Sequence, residues 1–314
     1  MSEPSLEAIH LTKRFNSFVA LDDLNLKVSG AKCVGFLGPN GAGKTTTLKL
    51  FSDMIFATKG QALINGLDVH ASKRRALDCA GVLVETPEIY PAMSPRDALS
   101  LIAEIRGIPA AERQGRIETV LGEVAMSEWI DKRIGEFSKG MKQRVNIAAV
   151  LLPDPQIVIL DEPTTGLDPR GMAEVRDVIR DLKRRQKLVF MSSHLLGEVA
   201  DVCDEVAMIN RGKLLVYDSL ERVMTRTNTA RTIVEVGFSR AVDATGTKQV
   251  TEIPGVEGVD RLDTLTLQLT LSPGVDTQER VLRELVTRGT GVVRYQPSSS
   301  ALEASYLDLI KDSR

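Results

Sequence analysis

Residues 38–46 read Gly38-Pro39-Asn40-Gly41-Ala42-Gly43-Lys44-Thr45-Thr46, and the fold of the chain follows from them. Gly38, Gly43, Lys44 and Thr45 fit the phosphate-loop spacing of two glycines separated by four residues, then Lys, then Ser or Thr. The preceding run, Cys33-Val34-Gly35-Phe36-Leu37, reads as a buried parallel strand. Thr46 to Phe51 carry apolar residues at helical spacing. A strand, a glycine loop and a helix start make an anion site. Backbone N–H groups there have no intrahelical partner, and the helix dipole favours negative charge. Glycines let the backbone wrap phosphates without a Cβ clash. Lys44 can reach the β- and γ-phosphates of a nucleotide, and the Thr45 hydroxyl can ligate Mg²⁺. Pro39, Asn40, Gly41, Ala42 and Thr46 complete the predicted cradle.

At 314 residues the chain suits a large domain plus a small one, or two of moderate size. Its 40 Lys and Arg against 42 Asp and Glu give a net charge of −2, so no polyanion-binding field and no nucleic-acid partner is expected. Cys33, Cys79 and Cys203 are far apart in sequence, form no metal spacing or disulfide framework, and fit a reducing cytosol. Met1-Ser2-Glu3-Pro4 carries no basic-then-apolar leader. No apolar run reaches the length of about 18 residues that spans a membrane. Membrane contact is therefore expected only through a partner.

Ahead of the loop, Ile9-His10-Leu11-Thr12 and Leu24-Asn25-Leu26-Lys27-Val28 read as two strands of an antiparallel layer. Phe15 and Phe18 fall in a polar connection between them, either as packing residues or as a face on which adenine stacks. Gln61–Ile64 and Cys79–Val84 read as strands, the second ending at Glu85. From 87 to about 152, prolines and helical patterns over Pro95–Arg106 and Ala110–Val124 predict a helical insert, with Trp129 as a packing residue. Ser138-Lys139-Gly140-Met141-Lys142-Gln143-Arg144 opens a buried helix that ends at Pro153. Ser138 and Gly140 lie at its N-terminal end, where free N–H groups are capped or meet a second phosphate.

Ile157-Val158-Ile159-Leu160-Asp161-Glu162-Pro163 suits a strand buried on both faces. Its two carboxylates sit at the C-terminal end, where parallel sheets bind ligands. Asp161 can hold Mg²⁺, and Glu162 can orient and deprotonate an attacking water. Gly166-Leu167-Asp168-Pro169 reads as a loop, followed by a helix over Gly171–Lys183 and a strand over Lys187–Met191. Ser192, Ser193 and His194 close that strand. His194 is placed to contact a γ-phosphate or the attacking water, whereas His10 and His70 read as structural. Glu205–Asn210 and Lys213–Tyr217 predict a hairpin. A polar linker at 225–229 separates an expected first domain, 1–224, from a small α+β domain, 225–314. In the latter, Thr232–Phe238, Val256–Leu262, Thr264–Leu271 and Gly291–Tyr295 read as strands, and Thr277–Thr287 and Ala301–Ile310 as helices.

Taken in order, the phosphate loop, the Ser138–Gln143 segment, the strand with Asp161-Glu162, the Gly166–Asp168 loop and His194 resemble the nucleotide-binding subunit of ATP-binding-cassette (ABC) transporters, over about residues 5–220. Ser-Lys-Gly-Met-Lys-Gln and the small C-terminal domain look like the subfamily of bacterial exporters whose membrane subunit is a separate chain. The resemblance implies an α/β P-loop NTPase cassette with an antiparallel β subdomain and a helical insert, peripheral on the cytoplasmic face of the cell membrane. It implies ATP and Mg²⁺ as cofactors and a transmembrane permease as partner. It also implies two cassettes facing head to tail, as a homodimer or a paired cassette. ATP would then lie between the phosphate loop of one cassette and Ser138 and Gly140 of the other, with Asp168 linking the two sites. Phe15 stands where the family usually has an adenine-stacking Tyr, and Lys139 replaces a Gly of the commoner signature. Glu85 stands where the family usually has a Gln, and is expected to face nucleotide and metal. The competing readings are a soluble ABC-type ATPase acting on nucleic acid or ribosomes, and a nucleotide-dependent regulator without transport.

Overall fold

Alternation of buried and exposed side chains marks the first two strands, β1 (Ser5–Phe15) and β2 (Phe18–Ser29). They pair antiparallel from Ser5↔Ser29 to Phe15↔Phe18. Both run further than their apolar cores suggest. Phe15 and Phe18 are therefore opposed strand ends rather than parts of a loop, and Asn16, at φ 51°, turns the chain between them. β4 (Lys59–Ile64) pairs on the other side of β1, and β5 (Leu67–Asp68) closes the sheet in the order β2-β1-β4-β5.

The second sheet is built from short, continuous apolar runs, as strands covered on both faces require. These are β3 (Cys33–Leu37), β6 (Ala80–Leu83), β7 (Ile157–Leu160), β8 (Leu188–Ser193) and β9 (Glu205–Asn210), with β10 (Lys213–Ser219) returning through a hairpin. Arg211 and Gly212 both take positive φ in that hairpin, the conformation its tight turn needs. The order is β10-β9-β3-β8-β7-β6, and the β3–β9, β3–β8, β7–β8 and β6–β7 pairs are parallel. Phe36 of β3, Phe190 of β8 and Phe51 of α1 (Lys44–Phe51) are fully buried. The Phe190 ring lies 5.3 Å from Phe36 and 6.2 Å from Phe51.

α2 (Lys73–Leu77) precedes β6. Between β6 and β7 come α3 (Pro95–Ile105), α4 (Ala110–Glu123) and α5 (Lys139–Leu151). Ser94 and Asp97 form a reciprocal capping box at α3, and Trp129 packs edge-on against Phe137 at 6.2 Å. α6 (Pro169–Arg184) and α7 (Leu196–Val202) flank β8 in sequence.

The structure describes residues 3–85, 91–223, 232–272 and 274–297 of a computed structural model, in two compact units, Met1–Asp218 and Ser219–Arg314. The linker at 225–229 and the helix expected at Ala301–Ile310 lie outside the described residues. In the second unit β11 (Thr232–Phe238), α8 (Ala244–Thr251), β12 (Val256–Arg261), β13 (Thr266–Leu271), α9 (Val275–Thr287) and β14 (Val292–Pro297) give a β-α-β-β-α-β chain. Its antiparallel order, β12-β13-β11-β14, is ferredoxin-like. Val250 of α8 and Val281 and Leu285 of α9 pack on Val234, Val236, Phe238, Leu267, Leu269 and Leu271.

Gly81 of β6 shows how closely α5 approaches the larger sheet. A Cβ there would stand 2.6 Å from the carbonyl oxygen of Val150 and 2.9 Å from the Pro155 ring. Gly81→Ala is expected to destabilise the first unit by about 1–3 kcal/mol through overpacking. Urea unfolding followed by Trp129, the single tryptophan, checks this. The midpoint falls while the slope stays constant.

Candidate functional site

Strand order assembles the site. β8 lies between β3 and β7, so its C-terminal end separates the phosphate loop from Asp161 and Glu162 and touches both. The Gly38 N–H donates to the Ser193 carbonyl at 3.3 Å. On the other side the Ser192 hydroxyl donates to Asp161 Oδ1 at 2.6 Å and accepts from the Glu162 N–H at 2.9 Å. The sequence marks Ser192 and Ser193 only as the end of a strand; their bridging role needs the strand order.

The loop itself enters α1 through Gly43, at φ 107°, where a Cβ would lie 2.6 Å from the Ala20 carbonyl oxygen. No side chain caps α1. Its first-turn N–H groups thus have the anion-binding character expected of an uncapped helix start. Pro39 is half-buried, Asn40 and Gly41 are exposed at the loop tip, Ala42 is buried, and Thr45 and Thr46 are half-buried. Lys44 is only 5% exposed. Its ammonium donates to the carbonyls of Gly38 at 2.8 Å and Pro39 at 3.3 Å, and stands 3.3 Å from Glu162 Oε1.

Glu162 takes φ 43°, a left-handed conformation that costs a non-glycine residue about 1–3 kcal/mol. The bond from its N–H to Ser192 helps hold it there. Its carboxylate accepts from the Thr165 hydroxyl at 2.9 Å and lies 3.0 Å from His194 Nδ1. Burial pushes the Glu162 pKa up. The Thr165 hydroxyl and the charges of Lys44 and His194 outweigh that and hold it below the usual carboxylate value. The structure thus gathers Lys44, Asp161, Glu162 and His194 around the start of α1.

Ser138 caps α5, its hydroxyl accepting from Met141 N–H at 3.2 Å, and Asp168 caps α6, accepting from Gly171 N–H at 3.3 Å. The helix starts meet at two glycines: a Cβ on Gly140 would stand 3.0 Å from Gly171 Cα. Among the described residues no hydrogen bond or ion pair joins Ser138, Gly140 or Asp168 to the phosphate loop. Glu85, at φ 56°, is exposed, and its carboxylate pairs with Lys49 of α1 at 2.5 Å. Phe15 is 44% exposed, with the Lys13 ammonium 4.7 Å from its ring centroid. His10 and His70 pair with Asp23 and Asp53. Cys33 and Cys203 are free thiols whose sulfurs lie 3.5 Å apart. A 410 Å³ cleft in the second unit, lined in part by Arg240, Asp243 and Arg288, contains none of these residues. No helix among the described residues is long and apolar enough to cross a membrane.

The depressed pKa of Glu162 fixes a sign. Its contribution to stability is full above the unfolded-state pKa and is lost as pH falls through the lower folded value. Lys44→Met removes one of the charges that lowers it. The Glu162 titration is expected to move up, and the acid loss of stability to shrink. Carboxyl carbon NMR titration of both forms, with thermal melts over the same pH range, checks the two directions.

A family model described as ABC transporter matches residues 21–165, and one described as AAA domain, putative AbiEii toxin, Type IV TA system matches residues 131–200. The bacitracin transport ATP-binding protein BcrA of Bacillus licheniformis is 41% identical over 211 residues, 67% of this chain and 68% of its own length. The uncharacterized ABC transporter ATP-binding protein YxlF of Bacillus subtilis (strain 168) is 30% identical over 300 residues, 96% of this chain and 97% of its own. A solved ATP-binding subunit of an ABC transporter superposes with a TM-score of 0.63 at 27% identity, covering 70% of this chain and 92% of that one. At 30% identity over 96% of its length and 41% over the 211 residues matched to BcrA, the chain belongs to the ATP-binding proteins of ABC transporters, as an ATPase cassette.

Proposed function

We propose that this cassette hydrolyses Mg²⁺-ATP to drive export through a separate membrane-spanning permease, acting on the cytoplasmic face as one of two paired cassettes. The observation that carries the hydrolytic part is the strained Glu162, held between Lys44 and His194 at the mouth of the phosphate loop. Lys44 binds the β- and γ-phosphates together with the N–H groups of Gly43 to Thr46 at the uncapped start of α1. Glu162 accepts the proton of the attacking water, and His194, beside that carboxylate, orients the water or the γ-phosphate. Oxygen donors suit Mg²⁺, which takes few protein ligands and completes its shell with phosphate and water. The Thr45 hydroxyl and the Asp161 carboxylate, steadied by Ser192, fit that chemistry and would hold the ion. Bound there, it would offset charge on the β- and γ-oxygens.

Pairing of cassettes rests on the family resemblance and on the placement of Ser138, Gly140 and Asp168 at two helix starts that meet each other at Gly140 and Gly171. Head-to-tail pairing would bring these helix starts to the ATP of the other copy. The second reading, a soluble ATPase or regulator without transport, receives no support from a relative named for transport that matches across the cassette.

Glu162→Gln is expected to leave ATP affinity near normal and to slow hydrolysis by about 10²–10⁴-fold. It should also leave an ATP-stabilised dimer on gel filtration. A persistent monomer that hydrolyses at the normal rate contradicts both roles. The same assay with Lys44→Ala is expected to lose tight ATP binding, read by titration calorimetry.

Glu85 pairs with Lys49 and lies two residues beyond β6 (Ala80–Leu83), on the way to the helical insert. We assign it to coupling with the permease rather than to the metal. Glu85→Gln should keep Mg²⁺-ATP binding and mainly change the stimulation of ATPase by the permease. Asp161→Asn should instead damage the Mg²⁺ dependence of the isolated chain. ATPase rates over a Mg²⁺ titration, with and without the permease, separate the two; similar behaviour of both mutants in the isolated chain refutes the coupling role.

A further inference from the structure

Behind the Glu162–His194 pair lies a carboxylate that the mechanism above does not use. Glu198 of α7 is 4% exposed. Its Oε1 accepts from the Thr164 hydroxyl at 2.5 Å and its Oε2 from the Ser193 hydroxyl at 2.8 Å. Both hydroxyl residues are 1% exposed. Thr164 is two residues beyond Glu162, and Ser193 immediately precedes His194. One buried side chain therefore ties down the loops that carry the two groups facing each other at 3.0 Å. Ser193 also reaches the phosphate loop, since its carbonyl accepts from Gly38 N–H.

Burying a carboxylate is costly unless its oxygens are bonded. Two short hydroxyl bonds satisfy that need only if both loops hold their places. A shift of either one breaks a bond deep inside the protein, where water cannot replace it. The arrangement penalises movement of Glu162 relative to His194, and small misplacements of reacting groups are expensive in rate.

We propose that Glu198 is a positioning residue for hydrolysis, setting the separation of Glu162 and His194 through Thr164 and Ser193. This rests on the assignment of Glu162 and His194 above. Glu198 is buried, bonds Thr164 and Ser193, and acts through the two loops they belong to.

The test uses the full chain and compares kcat, KM and ATP affinity. Glu198→Ala is expected to lower kcat by about 10- to 100-fold, with KM and calorimetric ATP affinity within about twofold of normal. Glu198→Gln keeps the shape and can bond both hydroxyls, because each hydroxyl can donate or accept. It is expected to restore kcat to within about fivefold of normal. In a Glu162→Gln background Glu198→Ala should subtract little further, since residues that act as a unit are not additive. Thr164→Val removes one of the two bonds at constant shape; it should lower kcat alone and add little to Glu198→Ala. It also decides the matter if Glu198→Ala does not fold.

A kcat for Glu198→Ala and Thr164→Val within about twofold of normal overturns the proposal. So does an equal fall in kcat and ATP affinity without rescue by Gln, which is the signature of general loosening. Glu162→Gln hydrolysing at the normal rate overturns the assignment of Glu162 itself. That outcome is read in a separate mutant, so the two failures are distinguishable.

Discussion

The Lys44 ammonium is the constraint on which the site depends. It is nearly buried, and a buried ammonium is tolerated only with its donors bonded and its charge offset. Two acceptors come from its own loop, the carbonyls of Gly38 and Pro39, and the counter-charge comes from Glu162 at the end of another strand. The loop therefore cannot satisfy its lysine without β7, and β7 cannot present Glu162 to it without the intervening β8. A phosphate oxygen presented to the loop draws on the same three donors. Anion binding at the loop and the freedom of the Glu162 carboxylate would thereby be linked at one atom.

Features encoded by local spacing were legible in the sequence. The phosphate loop, the run ending at Asp161-Glu162 and the run ending near His194 are each an apolar strand followed by polar residues, and the structure brings all three to one edge of the sheet. Features that depend on which strands are neighbours were not legible. Ser192 becomes a bridge, and its hydroxyl helps hold Glu162 at positive φ, because β8 adjoins β7. The Phe15–Phe18 connection read as a loop because its residues are mostly polar. Pairing between β1 and β2 extends both strands through it. Helix α8 escaped notice for a different reason: Thr and Gly residues give it weak helical propensity, and its support comes from the Asp243 cap and the burial of Val250. The apolar run Cys79–Val84 predicts a strand that reaches Glu85, but β6 stops at Leu83, and the Glu85 carboxylate meets Lys49 on α1.

Close contact of Gly140 with Gly171 has a structural consequence beyond backbone freedom. Neither helix start could carry a larger side chain there without moving the other. Ser138, which caps α5, and Asp168, which caps α6, are thereby held as one assembly. Arg144 reinforces it from inside. Its guanidinium bonds the carbonyls of Val124 and Ala125 beyond α4 and pairs with Glu174 of α6 at 3.0 Å. Movement of the helical insert is therefore expected to carry Ser138 and Asp168 together, rather than either alone.

A sheet covered on both faces leaves its chemistry only the strand ends, and this explains why so many polar side chains are buried at one edge. Ser192, Ser193, Thr164 and Glu198 are all below 5% exposure, yet each has a hydrogen-bond partner within the protein. Such a network is stable when closed and costly when any member is missing. It can therefore hold a strained residue such as Glu162 at a fixed position, where solvated loops would let it relax. The apolar interior that makes β3, β7 and β8 readable as strands is thus also what makes their polar ends rigid. The site owes its geometry to the low polarity behind it as much as to the charged groups that face solvent.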